Sequence, residues 1–454
     1  MAETVALEAL LRRMHGHGDA RAIVEGDRVH RYADLIAGVA DWQRAVVRHG
    51  IGGGDVVAIR SDFSFSAITL ALALFRTGCI VAFVSPTAPD VAGRLAEVGA
   101  IGLFDAVDGA LAFSPGAPPR QHALLETLRK SGDAGFVIFT SGASGRPKAV
   151  LHHLGRFLGG YRRADKALVT LAFLLFDHVA GLDTMFYTLH AGGCLVLTPT
   201  RIPRAVAALV ARWRIEVLPT SPSFLKLMCL SGAAEDHDLR SLRIVTFGSE
   251  PMPRSTLDQI AALLPDARLR QKYGASEFGA PRVETRGDDG LWIRLASDDT
   301  EIRVIDGVLW IRASTTMLGY LNADNPVQAD GWLCTGDRVE SDGDWLRVLG
   351  RDTDLINVGG EKVYPSEVEA VVAELDGVAQ VAATGSRHPL LGQVVAITVQ
   401  PRDADADPAQ LRRQIRAHCQ ARLQRHAVPA TIAFSLVSLV NERHKMMRTA
   451  LERP

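Results

Sequence analysis

The stretch FVIFTSGASGRPKAV (136–150) holds the densest set of residues in the chain able to grip an anion. A β-rich run, Phe136–Phe139, feeds directly into Thr140, Ser141, Gly142, Ala143, Ser144, Gly145, Arg146, Pro147 and Lys148. Gly142 and Gly145 let the backbone turn through positive φ and bring amide N–H groups close to an anion. The hydroxyls of Thr140, Ser141 and Ser144 add donors, and Lys148 adds a point charge for phosphate oxygens. The order is not the GxxxxGK(S/T) of P-loop enzymes, because Pro147 precedes the lysine and no helix cap follows it. A plain surface turn draws on the same residue types, so independent positions must decide. QKYGASEFG (271–279), CTGDRVESDGDWLRVLGRDTDLINVGGEKVYPSEVEAVV (334–372) and LVNERHKMMRTAL (439–451) are the other segments rich in chemistry.

These segments need a scaffold, and the hydrophobic pattern predicts one. DVVAIRS (55–61) reads as a strand, FSAITLALALFRTG (65–78) as a largely apolar helix and CIVAFVSP (79–86) as a second strand. A β-α-β order implies parallel pairing with a right-handed crossover. The pattern recurs at GCLVLTP (193–199), a helix over 202–213, EVLPTSP (216–222) and RIVTFGS (243–249), short apolar runs of the kind buried parallel strands show. Residues 106–134 read as a Gly- and Pro-rich connector followed by one short helix. From about 300 the texture becomes alternating, as in half-buried antiparallel strands. After Gly350 a smaller α+β unit is predicted, with a helix over 365–375, strands at 379–384 and 394–400, and a helix over 408–424.

Bulk properties exclude several classes of function. At 454 residues the chain should divide into more than one domain. Lys+Arg 50 against Asp+Glu 51 offers no charge excess for nucleic acid or an anionic membrane. No apolar run reaches the roughly 18 residues that span a bilayer, and the first twenty residues lack a signal-peptide core. Five dispersed cysteines suggest free thiols in a reducing compartment. The expected location is cytoplasmic.

Taken together, the motifs resemble the adenylate-forming, AMP-binding superfamily of acyl- and aryl-CoA ligases, carrier-protein adenylation domains and luciferases. The likeness runs from about residue 6 to the end. It implies an α/β fold with a large N-terminal core domain over 1–350, built of parallel and mixed sheets flanked by helices plus a β-barrel-like portion. A small mobile α+β domain would follow over 351–454. By this resemblance the 140–148 loop holds the β- and γ-phosphates of ATP, Tyr273 and Gly274 lie near the adenine, and Ser276 near a phosphate. Glu277 would hold Mg²⁺, which suits a hard dication bound through one carboxylate plus phosphate oxygens. Gly248, Ser249 and Glu250 occupy the adenine-proximal loop. Asp337 would accept both ribose hydroxyls, and Arg351 would contact ribose or phosphate as a fork donor. Lys445 would bridge the attacking carboxylate and the α-phosphate. Three positions depart from the usual pattern: Ala149 and His444 stand where glycine is usual, and Thr353 where the hinge is usually Asp or Lys.

The implied reaction has two halves. A carboxylate attacks the α-phosphorus and expels pyrophosphate; a thiol then takes the acyl group after the small domain rotates. Gly359 and Gly360 resemble the loop lining the pantetheine tunnel. LLFDHVAGLDTMF (174–186) resembles the acid-pocket segment, with His178 beside the carboxylate and Val179, Gly181, Gly248 and Gly274 near the pocket. That register predicts an uncharged aromatic or modest aliphatic acid. A slip by two would instead offer Asp177 to the ammonium of an amino acid. The thiol acceptor is expected to be CoA, the alternative being the phosphopantetheine of a carrier protein. A degenerate nucleotide-binding scaffold is disfavoured by the joint presence of Thr140, Lys148, Glu277, Asp337, Arg351 and Lys445.

Overall fold

The computed structural model describes residues 4–107, 109–140, 146–161, 166–287, 291–296, 299–441 and 446–447. Two seven-stranded sheets build most of the N-terminal part. One runs Arg268–Gln271, Ile244–Phe247, Val217–Thr220, Val169–Ala172, Cys194–Leu197 and Arg21–Glu25, all parallel, with Arg28–Arg31 antiparallel at its edge. The other has Gly135–Thr140, Ile80–Val84, Val56–Arg60 and Gly102–Val107 parallel at its centre. A shared hydrophobic cluster joins them, taking Ile23, Leu195 and Leu197 from the first and Val57, Val81 and Phe136 from the second.

The helix Phe65–Arg76 contributes to that cluster every residue from Ala67 to Phe75 except Thr69, which is also buried. A helix apolar all round must be enclosed on every side, which is why it sits between sheets rather than on a surface. Ser64 caps it by accepting from the Ala67 amide at 3.0 Å. It stops at Thr77, just before Gly78 with φ +83°.

The segment expected to be a connector differs. Ala110–Pro115 is an antiparallel edge strand on Gly102–Val107. Its Phe113 ring lies 5.1 Å from Phe104 and covers Gly102. Only this tertiary contact makes a strand of a stretch whose Gly109 and Pro115 read as loop punctuation. The short helix does follow, at Ala123–Ser131.

A six-stranded antiparallel sheet comes next, ordered Val283–Arg286, Trp292–Leu295, Trp345–Arg351, Leu333–Asp342, Val308–Ala313 and Thr300–Ile305. Among the described residues its outer strands do not pair with each other, so the curled sheet is described as open. The C-terminal unit has five strands, Ile356–Val358, Glu361–Val363, Val378–His388, Gly392–Pro401 and Thr431–Phe434, with helices Pro365–Val372 and Pro408–Arg422 packed on them through Val368, Val372, Ile415 and Cys419. Among the described residues no helix is long and apolar enough to cross a membrane. All five cysteines are free.

Tyr32 fixes one important helix. Fully buried, it donates its hydroxyl to the Gly193 carbonyl at 2.7 Å, just beyond the C-terminal end of helix Val179–His190. Tyr32→Phe should lower stability by about 1 kcal/mol, the net value of one buried hydrogen bond; a denaturant midpoint unchanged from wild type would refute this.

Candidate active site

The anion loop lies on a hairpin. Gly135–Thr140 and Lys148–His153 pair antiparallel, with Thr140 opposite Lys148 as the last matched pair. A P-loop would continue into a helix, whereas a strand follows here. Ser141, Gly142, Ser144 and Gly145 lie outside the described residues. The return arm is pinned by Asn322, whose amide donates to the Pro147 carbonyl at 2.9 Å and whose oxygen accepts from the Ala149 amide at 2.8 Å. Ala149 is fully buried in the core beneath, so its methyl fills space that a glycine would leave empty. Arg146 pairs with Glu97 at 2.8 Å.

Lys148 carries its ammonium 4.7 Å from the centre of the Tyr320 ring, a cation–π contact. The Tyr320 hydroxyl in turn donates to Glu277 Oε1 at 2.8 Å. Burial and the Glu277 charge hold that phenol above its ordinary pKa, so it remains a donor. A lysine, a ring and a carboxylate distant in sequence thus form one chain. Glu277 keeps its second oxygen without a protein donor among the described residues. A carboxylate oxygen left open so, linked to Lys148 through Tyr320, fits a magnesium ion that takes its remaining ligands from phosphate and water.

Ser276 is set by an unexpected residue. His152 Nε2 donates to the Ser276 carbonyl at 2.6 Å, and its ring stacks on Phe136 at 4.8 Å. Burial pushes His152 down to about 4, against hydrogen bonds to Ser276 and Thr315 that act the other way. The ring is therefore neutral at physiological pH.

Asp337 is the nodal carboxylate. One oxygen accepts from the Tyr273 hydroxyl at 2.7 Å, and the other meets Arg351 Nε at 2.9 Å. Arg351 also donates to the Thr335 carbonyl at 2.8 Å, and Thr335 Oγ accepts from the Asp337 amide at 3.0 Å. Burial raises the Asp337 carboxyl above its usual range, opposed by Arg351 and Tyr273. Tyr273 is mostly buried, with its hydroxyl on Asp337. Each carboxylate oxygen retains a lone pair for a ribose hydroxyl.

The Gly248–Glu250 loop is strained. Ser249 has φ +70°, a left-handed conformation that costs a non-glycine residue about 1 kcal/mol or more and often marks a functional site. A Cβ on Gly248 would lie 2.6 Å from the Lys272 carbonyl. Glu250 accepts from the Ser223 amide at 2.7 Å and from the Met446 amide at 3.3 Å. Lys445 and His444 lie outside the described residues, but Met446 is thereby tied to this loop, and Met447 is bonded to Leu439 at 2.8 Å. The exposed Gly274 follows Tyr273.

His178 forms the N-terminal boundary of helix Val179–His190 and is partly exposed. Val179 belongs to the hydrophobic core. At Gly181 a Cβ would fall 1.9 Å from the Leu175 carbonyl, so glycine is required there for backbone approach. Both positions shape the helix start from within. Gly359 and Gly360 form the exposed tip of the hairpin joining Ile356–Val358 to Glu361–Val363. Thr353 sits in the exposed turn Asp352–Asp354, where Asp352 pairs with Arg338 at 2.6 Å. His152, Tyr320 and Asn322 carried no signal in the sequence, since each acts through a partner remote along the chain.

A large, sheet-built N-terminal part with an anion hairpin and a nodal Asp–Arg pair beside a small C-terminal unit defines a two-part nucleotide-dependent enzyme. Residues 10–321 match the AMP-binding enzyme family and residues 367–442 the AMP-binding enzyme C-terminal domain. The chain belongs to the AMP-binding enzyme family, and it is an AMP-forming acid–thiol ligase of the acyl- and aryl-CoA synthetase type. It is 27% identical to a 2-succinylbenzoate–CoA ligase of Geobacillus kaustophilus (strain HTA426), covering 95% of this chain and 94% of that protein. An indoleacetate–CoA ligase of Aromatoleum aromaticum (strain DSM 19018 / LMG 30748 / EbN1) is 28% identical, covering 70% and 69%. Its fold is similar to that of an anthranilate CoA ligase crystallised with anthranoyl-AMP, with TM-score 0.85, 18% identity, and coverage of 98% and 96%.

Two predictions follow the geometry. A histidine whose folded pKa lies below its unfolded value binds its proton more readily unfolded. The His152 contribution is therefore complete above pH 6.5 and is lost as pH falls toward 4, a span worth roughly 3 kcal/mol. His152→Gln should flatten that part of the stability–pH curve, whereas parallel wild-type and variant curves would contradict it. Asp337→Asn removes a charged acceptor, and the ATP KM in pyrophosphate exchange should rise about 10- to 100-fold. An unchanged KM would remove Asp337 from the nucleotide site.

Proposed function

We propose that this enzyme activates an uncharged aromatic or modest aliphatic acid as its acyl-adenylate and passes the acyl group to CoA. The observation that carries this reading is the continuous chain from Lys148 through Tyr320 to Glu277, beside the Tyr273–Asp337–Arg351 cluster. In this reading the hairpin holds phosphate and the Asp337 carboxylate accepts ribose, and the two clusters sense each other's charge through Glu277 and Arg351. Thr140, Ser141, Gly142, Ser144, Gly145 and Lys148 hold the outer phosphates. Glu277 holds Mg²⁺, which when bound neutralises phosphate charge. Asp337 orients the ribose and Arg351 orients Asp337. Ser276 presents its hydroxyl near the phosphates, with its backbone held by His152. His178 flanks the acid carboxylate. Lys445 stabilises charge between the carboxylate and the α-phosphate, a role supported by the anchoring of its neighbour Met446 on Glu250.

The domains divide at 350/351, and the small one rotates about Thr353 for the second half-reaction. Support for a rotated state comes from the exposed Gly359–Gly360 tip and the adjoining Leu390, 88% exposed. Such an apolar surface suits cover by a pantetheine arm and another face of the protein. A carrier-borne phosphopantetheine is the second reading of the same tip. Cytoplasmic residence accords with five unpaired thiols.

A matrix of acids against CoA and a phosphopantetheinylated carrier, scored by AMP release, tests this reading. AMP should appear with an aromatic or short aliphatic acid plus CoA; exchange restricted to amino acids would overturn it. Lys445→Ala should lower acyl-adenylate formation about 100- to 1,000-fold, in line with loss of one preorganised charge donor, and an unchanged rate would dismiss that role.

A further inference from the structure

Helix Val179–His190 carries one residue that neither its core-facing side nor the nucleotide site accounts for. Asp183 lies five positions after His178 and is part-buried, and burial raises its carboxyl above the usual range. Tyr161 donates to its Oδ1 at 2.7 Å, and Tyr161 is braced by Phe157 and Tyr187, with ring centroids 6.3 and 6.2 Å away. The other oxygen, Oδ2, has no donor among the described residues. The positive group acting on Asp183 is Lys272. Lys272 is adjacent to Gly248 through its amide, which bonds the Phe247 carbonyl at 2.7 Å, and it precedes Tyr273 and Gly274. Asp183 is thus linked to His178 by their shared helix and, through the charge of Lys272, to the segment of Gly248 and Gly274.

A part-buried carboxylate satisfied by one phenol is a poor stabiliser, because among the described residues no cation pairs with it to offset its desolvation. A leucine would cost less at this point. A part-buried acid with an unused acceptor oxygen, on the helix that His178 begins, is more economically explained by a ligand that donates to it.

We propose that Asp183 is a specificity-determining residue of the acid site, accepting a hydrogen bond from a neutral donor, a hydroxyl or an aromatic amine, on the acid substrate. Tyr161 is its positioning residue. This rests on the reading that the acid binds beside His178 and Gly248. A second carboxylate on the substrate is disfavoured by like charge, and an unsubstituted acid leaves Oδ2 unpaired. A site built to pair with a donor discriminates against the analogue lacking it.

The experiment is ATP–pyrophosphate exchange with matched pairs, benzoate against its ring hydroxy- and aminobenzoates and phenylacetate against its hydroxy derivatives, accompanied by acid-induced shifts in melting temperature. Wild type should prefer the best donor-bearing acid over its parent by about 10- to 100-fold in kcat/KM. Asp183→Leu should abolish that preference while exchange with the parent acid persists, and the acid-induced melting shift should follow the same order. Asp183→Asn, which keeps an acceptor oxygen, should retain part of it. Tyr161→Phe should raise KM for the donor-bearing acid more than it lowers kcat. A wild-type preference for the parent acids, or a donor preference that survives in Asp183→Leu, overturns the proposal while leaving acid activation intact. Absence of exchange with every acid in a folded, ATP-binding wild type overturns acid activation at this site, and this proposal with it.

Discussion

The Asp337 carboxylate, held between the Tyr273 hydroxyl and the Arg351 guanidinium, joins the segment that follows a parallel sheet to a cross-strand pair of the antiparallel sheet. Tyr273 follows the last strand of a parallel sheet, Asp337 lies within the antiparallel sheet, and Arg351 ends the strand leading to the C-terminal unit. Burial makes the carboxylate expensive, and only charged and phenolic donors together offset that. The same features suit it to a ribose, since a buried carboxylate with remaining lone pairs is a strong, orienting acceptor. Stability of the seam and the proposed recognition of the nucleotide thus draw on one group.

Around this node the site is organised by residues that do not themselves touch substrate in the proposed reaction. Tyr320 relates Lys148 to Glu277, Asn322 fixes the return of the phosphate hairpin, and His152 fixes Ser276. Each is a neutral donor or a ring, which lets the charged groups be held without cancelling them. Glu250 acts differently, binding backbone amides from two remote segments, Ser223 and Met446. It thereby couples the strained Ser249 turn to the C-terminal tail. Strain at such a loop persists only where neighbouring contacts over-determine it.

The turn proposed as the hinge is built from Asp352, Thr353 and Asp354, and the Arg338–Asp352 pair tethers it. An ion pair near the surface contributes at most a modest energy, so it can be broken and remade during a cycle. Beyond the turn, the C-terminal core is complete in itself, built from its own strands and two helices, which permits motion as a body.

By itself the sequence determined the anion loop, the order of landmarks through Asp337 and Arg351, the alternation that gives parallel sheets first and antiparallel strands later, and the smaller C-terminal unit. These are local properties: glycine and hydroxyl composition, strand and helix periodicity, and spacing within one segment. Only the tertiary structure decided the rest. It turned Ala110–Pro115 into an edge strand through Phe113 against Gly102, put Val179 in the core, set the Tyr273 hydroxyl on Asp337, and brought Tyr161 to Asp183 and Tyr320 to Glu277. The physical reason is common to all of them. A contact or hydrogen bond between side chains that are not neighbours along the chain leaves no period and no spacing in it, and exists only once packing has fixed both partners.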